Sequence, residues 1–310
     1  MRALSELKEP NDMQHSTPGW IDSQLAIVGT ADVPLYVVVN DEAATLVEGG
    51  LSGMTELVWR QLHALLSDYG GIRHLRYWLI THSHYDHCSL LGTLAPRMPW
   101  LHIVGSPDTA DALQSPSACR TIRMLDAQAS VAWEPVAEAE LADLSDIPLY
   151  PLNPGRALDI GEGMRMRAIA LPGHSACLLG YHCPQLDLLF VSDALGEYHA
   201  PTQWLPLVFQ DLPAYRRSLD AIEQQQASRI ALGHYGVVGG GVARHAVRHA
   251  RDGLAARSDE ARAARGDTNA TRALARQWTE RYAARSAKVV PRALHLKSME
   301  RMIDLFQRAA

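Results

Sequence analysis

Cysteine is scarce. The 310 residues hold four, Cys88, Cys119, Cys177 and Cys183, with no paired spacing. A disulfide framework is excluded, and with no secretory leader evident a reducing cytoplasm is the expected compartment. No apolar run approaches about 20 residues, so no membrane-spanning helix is expected. Positive charge is also short. Lys and Arg number 29 against 34 Asp and Glu, a net charge of -5, so no global basic field draws in a nucleic-acid backbone. Neither a nucleic acid nor a membrane is expected as a partner.

A hydrophobic content of 47% and a charged content of 20% suit a globular protein, and the length allows one large domain with an appendage. Charge is uneven along the chain. Between Arg244 and Arg292, twelve Arg or Lys face five Asp or Glu. That surplus suits a solvated helical face, or a site for an anionic ligand or a protein partner.

Residues 1–22 are polar and broken by Pro10, Pro18 and Gly19, and read as a flexible tail. Short apolar runs at Leu25 to Val28, Leu35 to Val39 and Thr45 to Glu48 predict a meander of strands. Leu57, Val58, Leu62, Leu65 and Leu66 recur at helical spacing until Gly70-Gly71 ends the segment. Strands follow at Leu75 to Thr81 and Leu101 to Val104, and Ser106-Pro107-Asp108 has the form of a helix start. A Pro-rich linker (Pro148, Pro151, Pro154, Gly155) separates this half from a second one. The second half carries strands at Met164 to Leu171, Leu178 to His182, Leu188 to Val191 and Arg229 to Leu232, and a helix from about Pro213 to Gln226. Strands interleaved with helices imply a layered α/β architecture. From about Gly241 the composition turns rich in Ala and Arg, which predicts a helical C-terminal appendage reaching residue 310.

The densest chemistry lies at 81–87, Thr-His-Ser-His-Tyr-Asp-His, where His82, His84, Asp86 and His87 crowd the end of an apolar run. Unneutralised, such a crowd suffers desolvation and mutual repulsion; a divalent ion turns the same side chains into ligands. Three more candidates, His174, Asp193 and His234, each follow an apolar run and are flanked by turn residues, so each is expected at one rim of a sheet. Seven ligands at one rim suit two ions. A water held between two cations loses its proton near neutral pH, and the ions polarise the carbonyl under attack, so no Ser or Cys nucleophile is required. The set lacks a thiolate, which favours Fe(II) and leaves Zn(II) or Mn(II) open. Cys88 lies beside the run but outside the ligand pattern and reads as a small buried hydrophobe.

The His-x-His-x-Asp-His run followed by isolated His, Asp and His resembles the metallo-β-lactamase superfamily over about residues 23–243. The resemblance implies a four-layer αβ/βα sandwich with metals at the sheet edges and the 244–310 helices as a cap over the active site. It assigns His82, His84 and His174 to one ion, Asp86, His87 and His234 to the other, and Asp193 as the bridge. Asp86 and Asp193 would then be the catalytic carboxylates. Two positions depart from common practice in the superfamily: Glu48 where Asp is usual, and Ser89 where Gly often follows the run.

Further segments resemble something narrower: Leu46-Val47-Glu48-Gly49-Gly50, Asp193-Ala194-Leu195-Gly196-Glu197, Pro206-Leu207-Val208-Phe209 and Leu294-His295-Leu296-Lys297-Ser298-Met299. They are similar to the thioesterases of alkylquinolone signalling. That likeness implies hydrolysis of an aromatic acyl-CoA, 2-aminobenzoylacetyl-CoA, with Glu197, His295 and Ser298 as substrate contacts. It also implies a quorum-sensing role through a transcriptional-regulator partner, with a homodimer left open. Trp204, Leu205, Phe209, Leu296 and Met299 are candidates for an apolar lid, and the basic surplus after Arg244 could meet CoA phosphates. Glyoxalase II and acyl-homoserine lactonases carry nearly the same metal set and stand as alternatives, as does a regulatory binding protein with secondary hydrolase activity.

Overall fold

A computed structural model describes residues 14–133 and 141–309. Two seven-stranded mixed sheets lie face to face. The first runs, edge to edge, Gly19–Trp20, Leu25–Gly29, Pro34–Val39, Ala44–Val47, Leu75–Leu79, His102–Gly105 and Leu149–Pro151. Its early strands are antiparallel. From Ala44–Val47 onward the pairing is parallel, with the Thr55–Leu65 helix as the first crossover. The Leu25–Gly29 and Pro34–Val39 strands are buried on both faces, which is why they read as unbroken apolar runs rather than as alternating ones.

The second sheet is ordered Gln14–His15, Val237–Gly239, Arg229–Leu232, Leu188–Ser192, Leu179–Cys183, Arg165–Ala170 and Ala157–Asp159. Between the sheets, Ile27, Tyr36 and Val38 pack with Tyr181, Phe190 and Ala231 in one apolar layer. Outside the first sheet lie the Thr55–Leu65 and Pro116–Ala129 helices. Outside the second lie the Leu212–Gln225 helix and the three C-terminal helices Gly240–Ala263, Thr268–Ser286 and Arg292–Arg308. The result is the four-layer αβ/βα sandwich.

One expectation needs correction. The expected tail is not loose along residues 14–22, because Gln14–His15 pairs with the Val237–Gly239 strand and Gly19–Trp20 with the Leu25–Gly29 strand. Backbone pairing at both sheet edges outweighs the polar composition. Residues 1–13 lie outside the described residues. The Pro-rich segment supplies an edge strand to each sheet, so it is the crossover of the sandwich. The C-terminal helices share one hydrophobic core with the second sheet: Trp278, Met302 and Phe306 join Leu189, Leu232 and Leu205.

Helix starts follow their capping chemistry. Ser106 Oγ accepts from the Thr109 N–H and Ser115 Oγ from the Ala118 N–H, each with Pro in the first turn. The Pro116–Ala129 helix is thereby placed beside the rim where the histidines gather.

Candidate metal centre

Each ligand candidate stands just past a strand or in the loop after it. The Leu75–Leu79 strand leads into Thr81-His82, Leu188–Ser192 into Asp193, and Arg229–Leu232 into Gly233-His234, while His174 follows Arg165–Ala170. Three non-glycine residues beside these positions adopt positive φ: Glu48 at 80°, Ser192 at 50° and Tyr235 at 66°. Backbone strain of this kind persists only where surrounding structure over-determines it. Glycine is required at Gly233, where a Cβ would collide with Asp193 Oδ1.

The seven side chains come together in two groups. His82, His84, His174 and Asp193 offer ligand atoms within 4.8 Å of one another, and so do Asp86, His87 and His234. Asp193 lies between the groups, with Oδ2 3.2 Å from His174 Nε2 and 3.4 Å from His87 Nε2, and Oδ1 3.6 Å from His234 Nε2. Asp86 Oδ2 lies 3.6 Å from both His87 Nε2 and His234 Nε2.

A second set of contacts fixes the rings. His87 Nδ1 bonds Glu48 Oε2 at 2.8 Å, His174 Nδ1 the Leu207 carbonyl at 2.9 Å, and His234 Nδ1 the Asp32 carbonyl at 2.6 Å. Each bond directs the other ring nitrogen, Nε2, into the cluster. Glu48 is the residue whose role sequence reasoning does not reach. In the sequence it stands only as a departure, whereas its carboxylate orients His87 and also accepts from Thr81 Oγ1 at 2.9 Å. The clue available in the sequence is a carboxylate at a strand end in the rim.

Burial, followed by the neighbouring imidazoles, pushes His82 well below the usual histidine range; burial and His174 bring His84 to about 3. His174 is lowered by burial as well. Burial opposes protonation of His87 and His234 too, but nearby carboxylates outweigh it and raise both. Asp193 is held well down by His87, His234 and His174 against its burial.

The donor set fits divalent ions. His82 Nε2 is buried with no hydrogen-bond partner among the described residues, a condition that is costly for an imidazole unless a ligand takes the lone pair. His84 Nδ1 and His174 Nε2 face each other at 2.9 Å. Imidazoles next to carboxylates, without thiolate, are what nitrogen- and oxygen-preferring metals bind.

The cluster floors a cavity of about 600 Å³. Ile122 and Leu125 of the Pro116–Ala129 helix, with Leu207, Phe209, Leu294 and Met299, give it apolar walls. Glu197, His295 and Ser298 all line it. Glu197 is buried, accepts from Tyr235 Oη at 3.3 Å and has His199 Nε2 3.6 Å away. His295 is buried, its Nδ1 has no hydrogen-bond partner among the described residues, and burial lowers its pKa. Of the expected lid, Phe209 and Met299 reach the cavity; Trp204 and Leu205 are instead buried in the core shared with the C-terminal helices, and Leu296 packs against that core. Cys88 is fully buried among apolar side chains.

The chain belongs to the metallo-beta-lactamase superfamily, whose family model matches residues 29–234. It is similar to a metallo-beta-lactamase family protein from Thermus thermophilus, at 19% identity and a TM-score of 0.60, over 97% of this chain and 95% of that one. It is also similar to an archaeal superfamily protein from Sulfolobus tokodaii (18% identity, TM-score 0.55, 76% and 86% covered). A subclass B3 metallo-beta-lactamase of Bradyrhizobium japonicum matches at 14% identity and a TM-score of 0.54, with 79% and 94% covered. Identities this low speak to the fold alone. Among the described residues no helix is long and apolar enough to cross a membrane.

Proposed function

We propose that the chain is a dinuclear-metal thioesterase acting on aromatic β-keto acyl-CoA, with 2-aminobenzoylacetyl-CoA cleaved to 2-aminobenzoylacetate. The observation that carries this reading is the cavity: an apolar chamber of about 600 Å³ that ends on the histidine and aspartate cluster and holds Glu197, His295 and Ser298 in its wall. The similarity of the 294–299 segment to alkylquinolone thioesterases supports the same assignment. His82, His84, His174 and Asp193 would hold one ion, and Asp86, His87 and His234 the other, with Asp193 shared. Iron(II) is the metal we assign, since the donor set contains no thiolate. When bound, the two ions supply Lewis acidity toward a carbonyl oxygen and lower the pKa of water.

The chain's own residues do the rest. Glu48, Leu207 and Asp32 hold His87, His174 and His234 in fixed orientation, so no reorganisation is needed at the moment of reaction. Ile122, Phe209 and Met299 receive the aryl ring and exclude bulk water. Glu197 accepts a hydrogen bond from the aromatic amine, while Ser298 and His295 orient the β-keto oxygen. A thiolate leaves with a conjugate-acid pKa of about 8.5, so a strong general acid is dispensable.

The test is a substrate panel: 2-aminobenzoylacetyl-CoA, simple acyl-CoAs, a glutathione thioester and an acyl-homoserine lactone, each with metal-loaded protein. Preferred turnover of the aromatic acyl-CoA is expected. Turnover of lactones alone would sink the thioesterase reading.

A further inference from the structure

The inner end of the cavity is acidic and histidine-rich, with Asp86, Asp193 and Glu197 among its lining residues. The outer wall is different. Lys297 and Arg301 are the lysine and arginine that line the cavity, and both belong to the Arg292–Arg308 helix. Four residues apart, they occupy one face, a single turn from each other. Both are exposed. Arg301 is anchored by its Nε, which donates to the Phe209 carbonyl at 3.1 Å, and the Phe209 ring packs on His174 with centroids 5.1 Å apart. Its Nη1 has a loose contact with Asp304 Oδ2 at 3.7 Å, and Asp304 is itself bonded to Arg308 at 2.9 Å. Lys297 makes no hydrogen bond or ion pair with the described residues.

The helix therefore presents two kinds of residue to one cavity: His295 is buried and Ser298 half-buried, whereas Lys297 and Arg301 are exposed and form a cationic lip. The basic segment from Arg244 to Arg292, by contrast, contributes no cation to the lining. Three of its arginines are paired elsewhere: Arg251 with Asp220 and Glu223, Arg257 with Glu260, and Arg262 with Asp259.

We propose that Lys297 and Arg301 form a phosphate-recognising lip that selects thioesters carrying the coenzyme A nucleotide over truncated thioesters. The inference deepens the thioesterase reading and rests on it. A coenzyme A thioester carries its phosphates at the far end of the phosphopantetheine arm, and in this cavity His174 and Asp193 are buried whereas Lys297 and Arg301 are exposed to solvent. A guanidinium held by one nitrogen keeps its remaining N–H groups free for phosphate oxygens, and an ammonium with no partner adds a second charge-assisted contact.

The test compares one acyl group on two carriers, coenzyme A and N-acetylcysteamine, with metal-loaded wild type and the Lys297→Glu, Arg301→Glu and double variants. The ratio of kcat/KM for the coenzyme A ester to that for the truncated ester should fall at least about tenfold in the double variant, through KM, given the strength of charge-assisted contacts. Lys297→Arg should retain most of the ratio. An unchanged ratio would overturn the lip, including the case of parallel losses on both esters. Calorimetric titration with free coenzyme A and with pantetheine separates this failure from failure of the thioesterase reading. If wild type cleaves no thioester yet binds coenzyme A more tightly than pantetheine, and the double variant loses that preference, the lip stands without the activity. If wild type shows no preference, the lip falls. Unfolding followed by circular dichroism identifies any variant that fails to fold, and Lys297→Ala, at an exposed position, then carries the comparison.

Discussion

The Nδ1–H of His87 donates to Glu48 Oε2 across 2.8 Å, and both side chains are almost wholly buried. The bond selects the tautomer whose Nε2 lone pair is directed toward Asp86 and Asp193. The same carboxylate oxygen accepts from Thr81, so Glu48 ties the end of the Leu75–Leu79 strand to the ligand loop that follows.

Replacing Glu48 with Ala leaves the His87 N–H and the Thr81 hydroxyl without their partner. Loss of such an orienting carboxylate lowers metal affinity by about 10- to 100-fold, and each orphaned donor costs about 1–3 kcal/mol. Glu48→Ala should therefore show weaker retention of the ion held by Asp86, His87 and His234, read by competition with a chromogenic chelator. Retention as strong as in wild type would contradict the role assigned to Glu48.

Gly233→Ala adds a Cβ where Asp193 Oδ1 lies, with His87 Cε1 close by. Asp193 must move, and it is the carboxylate between the two ligand groups. Metal content and hydrolysis should fall together, measured by elemental analysis and thiol release on the same preparation.

Chelation should destabilise the fold as well as silence it. The buried His82 Nε2 atom has no hydrogen-bond partner among the described residues. A ligand present at 1,000 times its dissociation constant stabilises by about 4 kcal/mol. The thermal midpoint should drop on dialysis against a chelator and return when iron(II) is restored under anaerobic conditions.

His295 gives a pH prediction whose sign follows from burial. Its folded-state pKa lies below the ordinary histidine value, so below about pH 6.5 the unfolded chain binds a proton that the folded chain does not. Stability from this residue is complete above that pH and is lost as pH falls toward the folded value, with a slope of at most about 1.4 kcal/mol per pH unit. Urea unfolding between pH 5 and 7 should show a shallower acid loss in His295→Leu than in wild type. Equal slopes would mean that His295 is not held neutral by its surroundings.

The ligand positions are legible in the sequence because each sits where an apolar run meets turn residues, and a sheet rim is the place such junctions occupy. Glu48 is legible as a residue but not as a partner. Its bond to His87 spans 39 positions, a pairing set by the parallel register of Ala44–Val47 against Leu75–Leu79. The wall formed by Ile122 and Leu125 is hidden for a similar reason: both side chains pack with the core and also line the cavity, so their apolar character alone does not separate the two roles. Trp204 and Leu205 mislead because an apolar residue near a site looks alike whether it faces the pocket or the core. The strands at 14–20 are hidden by their brevity, since two residues carry no periodicity.

The central claim is that this cluster, loaded with metal, cleaves an acyl-CoA thioester. Protein purified without oxygen should be divided into chelated, iron(II)-loaded and Asp193→Ala samples, with metal content and thiol release from 2-aminobenzoylacetyl-CoA followed in each. Turnover should track metal content in wild type and be lost in Asp193→Ala. Full turnover by metal-free protein, or none by protein that has bound its ions, would contradict the claim.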